Sequence, residues 1–382
     1  MKKTLLIVGI ILVVIIALPV INLVRWTFQP KKPMDIILVD KTVVTLEREH
    51  HKSFSWILNN ERFVKKDNNR SYSYKKDYYG FVPLSPMREM KYEKNDYRLA
   101  DLIDLAKKND AVYFADTYGV FTNDWYRAFT KSRRSRKIYG SLNGNDNILL
   151  KEMKERNKLI IMEYNSFDYP TGEFESVRAQ EKLGITFSGW SGKYFISLDT
   201  ASSDFPIWMT AMYRKEYEKP WTFTRPGIVF LKEKEILVME EGIHLKNPIP
   251  QIITNEANSA RYGVKGSVAF NGWFDIIDPL QNRTISKFKI ETTRLGDTLL
   301  AGKDLKSEFP AVVQDSVSQR IYYFSGDFAN SNIPFWSSRF MGVEKLKGIL
   351  YSDKPEDTRR FFWLYYKPLI NGIFSEPDKY LH

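Results

Sequence analysis

The chain has 382 residues, 43% hydrophobic and 27% charged, the proportions of an ordinary globular protein with room for one large domain or two. It contains no cysteine, which excludes disulfides, thiolate metal sites and a cysteine nucleophile together. The formal net charge of +11 suits an anionic partner, but no recognition motif accompanies the one dense basic run, Lys131-Ser-Arg-Arg-Ser-Arg-Lys137, so nucleic acid is not expected.

The first predicted element is a membrane span. Lys2-Lys3 precede an apolar run from Leu5 to Val24, which as a helix would extend about 30 Å, the thickness of a bilayer's hydrocarbon core. Ala17-Leu-Pro-Val20 is a poor cleavage site, and Arg25-Trp26 supply a basic and an aromatic interfacial anchor. Residues 1–33 therefore read as an uncleaved signal anchor and linker, with lipid as a partner through residues 5–24 and the body outside the cytoplasm.

The body opens on Met34-Asp-Ile-Ile-Leu-Val-Asp40, a short β-branched run closed by a carboxylate, as in a buried parallel strand. A helix is expected at about 47–60 and a polar, tyrosine-rich surface excursion over 61–97. Asp110-Ala-Val-Tyr-Phe-Ala-Asp116 and Lys158-Leu-Ile-Ile-Met-Glu163 repeat the acid-ended strand, with helices before and after. Gly184 stands where a helix C-cap glycine belongs. This alternation predicts an α/β fold with a doubly wound, mostly parallel sheet over 34–221. The period then changes: clean alternation at Lys287-Phe-Lys-Ile-Glu291 and neighbouring strand-like runs mark 222–300 as a β-rich insertion. Residues 301–382 bring two closing strands, Glu308–Val313 and Arg320–Asp327, then C-terminal helices whose Phe361-Phe-Trp-Leu-Tyr-Tyr366 forms an aromatic docking face.

Four predicted strands end in acids: Asp40, Asp116, Glu163 and Asp327. In an open α/β sheet, ligands bind beyond the carboxyl ends of the strands, so these acids are the candidate catalytic residues. Paired carboxylates there could run acid–base chemistry on a sugar or hold a divalent cation; equally, each could cap the next helix. Asn165 beyond the third strand and Arg178 on the following helix are candidate ligand contacts. So are Trp190, Lys193 and Tyr194 within Gly189-Trp-Ser-Gly-Lys-Tyr-Phe195, read as a loop, where an aromatic ring beside a cation suits a sugar. His50 and His51 are adjacent and so address different partners, which argues against zinc. No metal or cofactor motif is present; nucleotide fingerprints and Gly-x-Ser-x-Gly are both lacking.

The order strand–Asp40, strand–Asp116, strand–Glu163 with Asn165 beyond it, then Phe309-Pro-Ala-Val-Val and Arg320-Ile-Tyr-Tyr-Phe-Ser-Gly-Asp327, resembles the class I glutamine amidotransferase-like (flavodoxin-like) superfamily over about 34–220 and 305–330. Without a cysteine near the elbow at Tyr164–Ser166, glutamine hydrolysis is excluded. The resemblance thus implies the non-amidotransferase branch, whose members are often carbohydrate-associated or binding domains. Three functions are expected in turn. One is a membrane-anchored binding or assembly component of the cell envelope, contacting a glycan. The second is an envelope polysaccharide hydrolase or lyase using the rim acids. The third is a structural partner of another membrane protein. An enzyme requires two rim carboxylates about 5–10 Å apart with raised pKa values, whereas a binder requires exposed Trp190 and Tyr194 rings.

Overall fold

The computed structural model describes residues 17–126, 135–346, 350–352, 354 and 357–375. Its strands are β1 (Lys32–Pro33), β2 (Ile36–Asp40), β3 (Phe63–Val64), β4 (Tyr79–Pro83), β5 (Tyr92–Asn95), β6 (Ala111–Asp116), β7 (Val120–Phe121), β8 (Lys137–Tyr139) and β9 (Leu159–Glu163). They continue as β10 (Thr186–Phe195), β11 (Gly227–Lys232), β12 (Glu235–Glu240), β13 (Leu245–Thr254) and β14 (Ser267–Ala269). The last four are β15 (Trp273–Asp278), β16 (Arg283–Thr292), β17 (Glu308–Gln314) and β18 (Ile321–Phe324).

One ten-stranded sheet dominates, in the order β14-β13-β16-β17-β18-β9-β6-β2-β4-β5. Its middle five strands, β18 to β4, are parallel. Antiparallel strands extend it on both sides. A second sheet, β12-β11-β10-β15, is antiparallel throughout. The expected mostly parallel, doubly wound sheet is therefore corrected to a large mixed sheet with a smaller antiparallel one. Alternating segments do make the parallel centre with its four pairs, but five antiparallel pairs are added beside it. Residues 222–300 supply strands to both sheets: β11, β12 and β15 to the small one, β13, β14 and β16 to the large one.

The acid-ended runs are continuous in hydrophobicity because the parallel centre is covered on both faces. Ile36 and Leu38 of β2 face one core with Phe54, Trp56 and Tyr366, while Ile37 and Val39 face another with Leu102, Leu149 and Ala179. Helix Glu49–Asn60 covers the first face and helices Leu102–Lys108, Gly144–Glu155 and Glu173–Leu183 the second. The Phe361–Tyr366 run is almost wholly buried, its Phe362 and Trp363 edge-on to Trp56. It docks inward on this chain's own core.

Among the described residues no helix is long and apolar enough to cross a membrane. Residues 17–28 are helical, and residues 5–16 of the expected span lie outside the described residues, as do 131–134 of the basic run. The single-pass membrane assignment, with its signal anchor and extracytoplasmic body, is corrected on this finding.

Candidate functional site

The parallel register brings the strand tips together. Asp40 and Asp116 are paired across β2 and β6, and Glu163 ends β9 next to Phe324, the last residue of β18. Three residues on, Asp327 follows the Ser325-Gly326 turn. What gathers these acids is a feature absent from the candidate set, the histidine pair that opens helix Glu49–Asn60 over the tips.

His51 is fully buried; its Nδ1 lies 2.5 Å from Asp40 Oδ2 and its Nε2 2.7 Å from the carbonyl of Tyr74. A carbonyl only accepts, so Nε2 donates there, and Nδ1 is the ring nitrogen that pairs with Asp40. His50 turns the other way. Its Nδ1 stands 3.8 Å from Asp116 Oδ2 and 3.7 Å from Asp327 Oδ1, and one fifth of its side chain is exposed. Neither His50 Nδ1 nor Asp327 Oδ1 has a hydrogen-bond partner among the described residues.

Asp116 is otherwise held on every side. Thr42 Oγ1 donates at 2.5 Å and the amide of Tyr118 at 2.7 Å to Oδ1, and Asn165 Nδ2 donates at 3.2 Å to Oδ2. Burial nevertheless lifts its pKa to about 7, helped by the charges of Asp40 and Asp327 and opposed by His50. Burial alone would lower the pKa of His50, but the carboxylates of Asp327, Asp116 and Asp40 outweigh it and raise it to about 10. Near neutral pH the site therefore holds an imidazolium beside a carboxyl group at the midpoint of its titration.

The other candidates fall in different places. Glu163 is fully buried; it accepts from Tyr113 Oη and from the amides of Phe328 (2.9 Å) and Ala329 (3.2 Å). Burial and the charge of Asp327 raise its pKa well above the usual carboxyl range. It anchors the turn that carries Asp327 and does not face the cleft. Asn165 adopts φ +67°, and its amide donates to Asp275 Oδ2 at 3.0 Å. Asp275, on β15, also accepts from Ser191 Oγ (2.7 Å) and Tyr323 Oη (2.8 Å), tying the small sheet to the rim. Sequence reasoning passed over this residue because nothing local distinguishes it.

Gly189–Phe195, read as a loop, is part of β10. Trp190 is buried beneath Lys232 and Lys303, and Tyr194 is buried too. Arg178 is exposed on the far helix, over Phe174, away from the acids. Lys193 does reach the site. It lines a cleft of about 500 Å³ with Asp327, Trp273, Asn330, Asn332, Glu49 and Asp204. No group of three or more ligating side chains among the described residues could hold a metal ion.

No family model and no curated protein matches the chain. One solved structure to which it is similar is a ThuA-like protein from Bacteroides uniformis. The two share 9% identity, with 91% of this chain and 94% of that one covered at a TM-score of 0.39. The amidotransferase-like resemblance does not stand. A mixed ten-stranded sheet replaces the mostly parallel one that the resemblance implied.

Proposed function

We propose that this protein is an acid–base enzyme acting on a hydroxylated, saccharide-type substrate in the cleft beside Asp327. The observation that carries the reading is the imidazole of His50 set between Asp116 and Asp327 at the parallel strand tips. With oxygens 3.8 and 3.7 Å from one nitrogen, the two carboxylates are at most about 7.5 Å apart, close enough to serve one acid–base centre. Asp116, with its pKa near 7, is suited to give up a proton at neutral pH, and the His50 imidazolium to stabilise negative charge as it develops. Asp327 opens directly on the cleft and is the proton acceptor. Asn330, Asn332 and Trp273 in the wall offer the amide hydrogen bonds and the aromatic surface that sugars use.

A pure binding role is less well supported, since the Trp190 and Tyr194 rings it calls for are buried. The test is a hydrolysis and elimination screen of oligosaccharides with the full chain, followed by Asp116→Asn and Asp327→Asn on whichever substrate turns over. Each substitution should lower kcat by about 10²- to 10⁴-fold with little change in KM. Saccharide binding without turnover on any substrate, or turnover indifferent to both substitutions, would remove the enzyme.

A further inference from the structure

Lys193 differs from the buried lysines that this chain pairs with an acid. Lys41 meets Asp146 at 2.6 Å, Lys303 meets Glu216 at 2.7 Å and Lys367 meets Glu61 at 3.2 Å. Lys193 has no carboxylate within ion-pair distance among the described residues. Its ammonium instead lies 5.2 Å from the Phe195 ring centre and 5.5 Å from that of Trp273. Those rings hold a cation in place without neutralising it. Burial draws its pKa down, with Asp327 and Asp204 pulling it back from a distance. A half-buried ammonium that its own protein leaves unpaired, in the wall of the candidate cleft, is completed by a ligand's anion.

We infer that the substrate is an anionic saccharide of the uronic-acid class, whose carboxylate is received by Lys193. The other charged groups on this cleft, Glu49, Asp204 and Asp327, are all acids. They repel a carboxylate everywhere except at the Lys193 wall, and so set the direction in which a sugar acid enters. With its carboxylate there, the ring hydroxyls turn toward Asp327 and Asn330. The inference rests on the acid–base reading of the same site and adds to it the charge of the substrate.

The experiment is calorimetric binding to the full chain of glucuronic, galacturonic and mannuronic acids, each paired with its neutral hexose. At least one acid should bind about tenfold or more tightly than its hexose, the preference weakening with salt. Lys193→Met should abolish the preference and Lys193→Arg should keep much of it, with melting temperatures confirming that both fold. Equal affinity within every pair, a preference that survives Lys193→Met, or no binding of any acid overturns the inference. The acid–base reading is judged separately: if the preference is present but Asp116→Asn turns over like the wild type, that reading alone fails.

Discussion

Asp275 joins the two sheets at the site, and Asp275→Asn gives a stability change whose size depends on pH. The carboxyl is 2% exposed and accepts from Ser191, Tyr323 and the Asn165 amide. Burial lifts its pKa from 3.8 to about 6, with the three hydrogen bonds drawing it back. In the unfolded chain the group ionises near 3.8, so between the two values the unfolded state releases its proton first and gains on the folded state. The stability owed to neutral Asp275 is therefore present at low pH and lost as pH rises through about 6. At about 1.4 kcal/mol per pKa unit the loss is about 3 kcal/mol. Asparagine does not titrate. Its single acceptor oxygen costs a further 1–3 kcal/mol or so for the donor it fails to satisfy, but that cost is the same at every pH. Urea unfolding followed by tryptophan fluorescence, at about pH 4 and about pH 7, gives the wild-type advantage over Asp275→Asn at each. The advantage should shrink by roughly 2–3 kcal/mol toward neutral pH. An advantage that stays constant, or widens, would refute a buried carboxyl kept neutral by its surroundings.

Turnover on a saccharide substrate should fall as pH rises above about 7, where Asp116 loses its proton. His50→Gln removes the cation that lowers the pKa of Asp116, so the surviving activity should carry that limb to higher pH in a profile of kcat/KM; an unmoved limb contradicts the coupling. Lys41 is buried against Asp146, which Tyr97 also contacts, so Lys41→Met strands a carboxylate and should cost about 3–5 kcal/mol in denaturant unfolding. Adding Asp146→Asn should recover most of that loss. Gly80 sits at φ +146°, and a Cβ there would lie 1.7 Å from the Asp40 carbonyl oxygen. Gly80→Ala should destabilise by about 3 kcal/mol or more and disturb the Asp40–His51 contact, seen as a lowered melting temperature.

The acid-ended strands were legible because a strand covered on both faces must be apolar throughout, and Ile36–Val39, Ala111–Ala115 and Leu159–Met162 carry that signature undiluted. The Gly184 C-cap was legible for a backbone reason: it takes φ +67°. The mixed character of the sheet was not, because strand order is set by long-range pairing such as β17 with β18 and β18 with β9, which no local pattern encodes. The span expected at 5–24 was read from local signals, its apolar length and its basic and aromatic flanks. Gly189–Phe195 misled because glycine beside tryptophan reads as a loop. Gly192 is in fact packed under Phe274, with no room for a Cβ. His50 and His51 were judged against a shared metal ion. Their adjacency sends one ring to Asp40 and the other toward Asp116 and Asp327, and only the docking of their helix over the strand tips reveals those partners.

The electrostatic claim on which the site depends is that His50 stays protonated because two carboxylates flank it. With four histidines in the chain, imidazole nitrogen NMR on labelled protein, assigned by His50→Gln, follows its protonation directly. The account predicts an imidazolium from pH 6 to pH 9, titrating only at about 10. A His50 ring that loses its proton near the ordinary value of about 6.5 would contradict it.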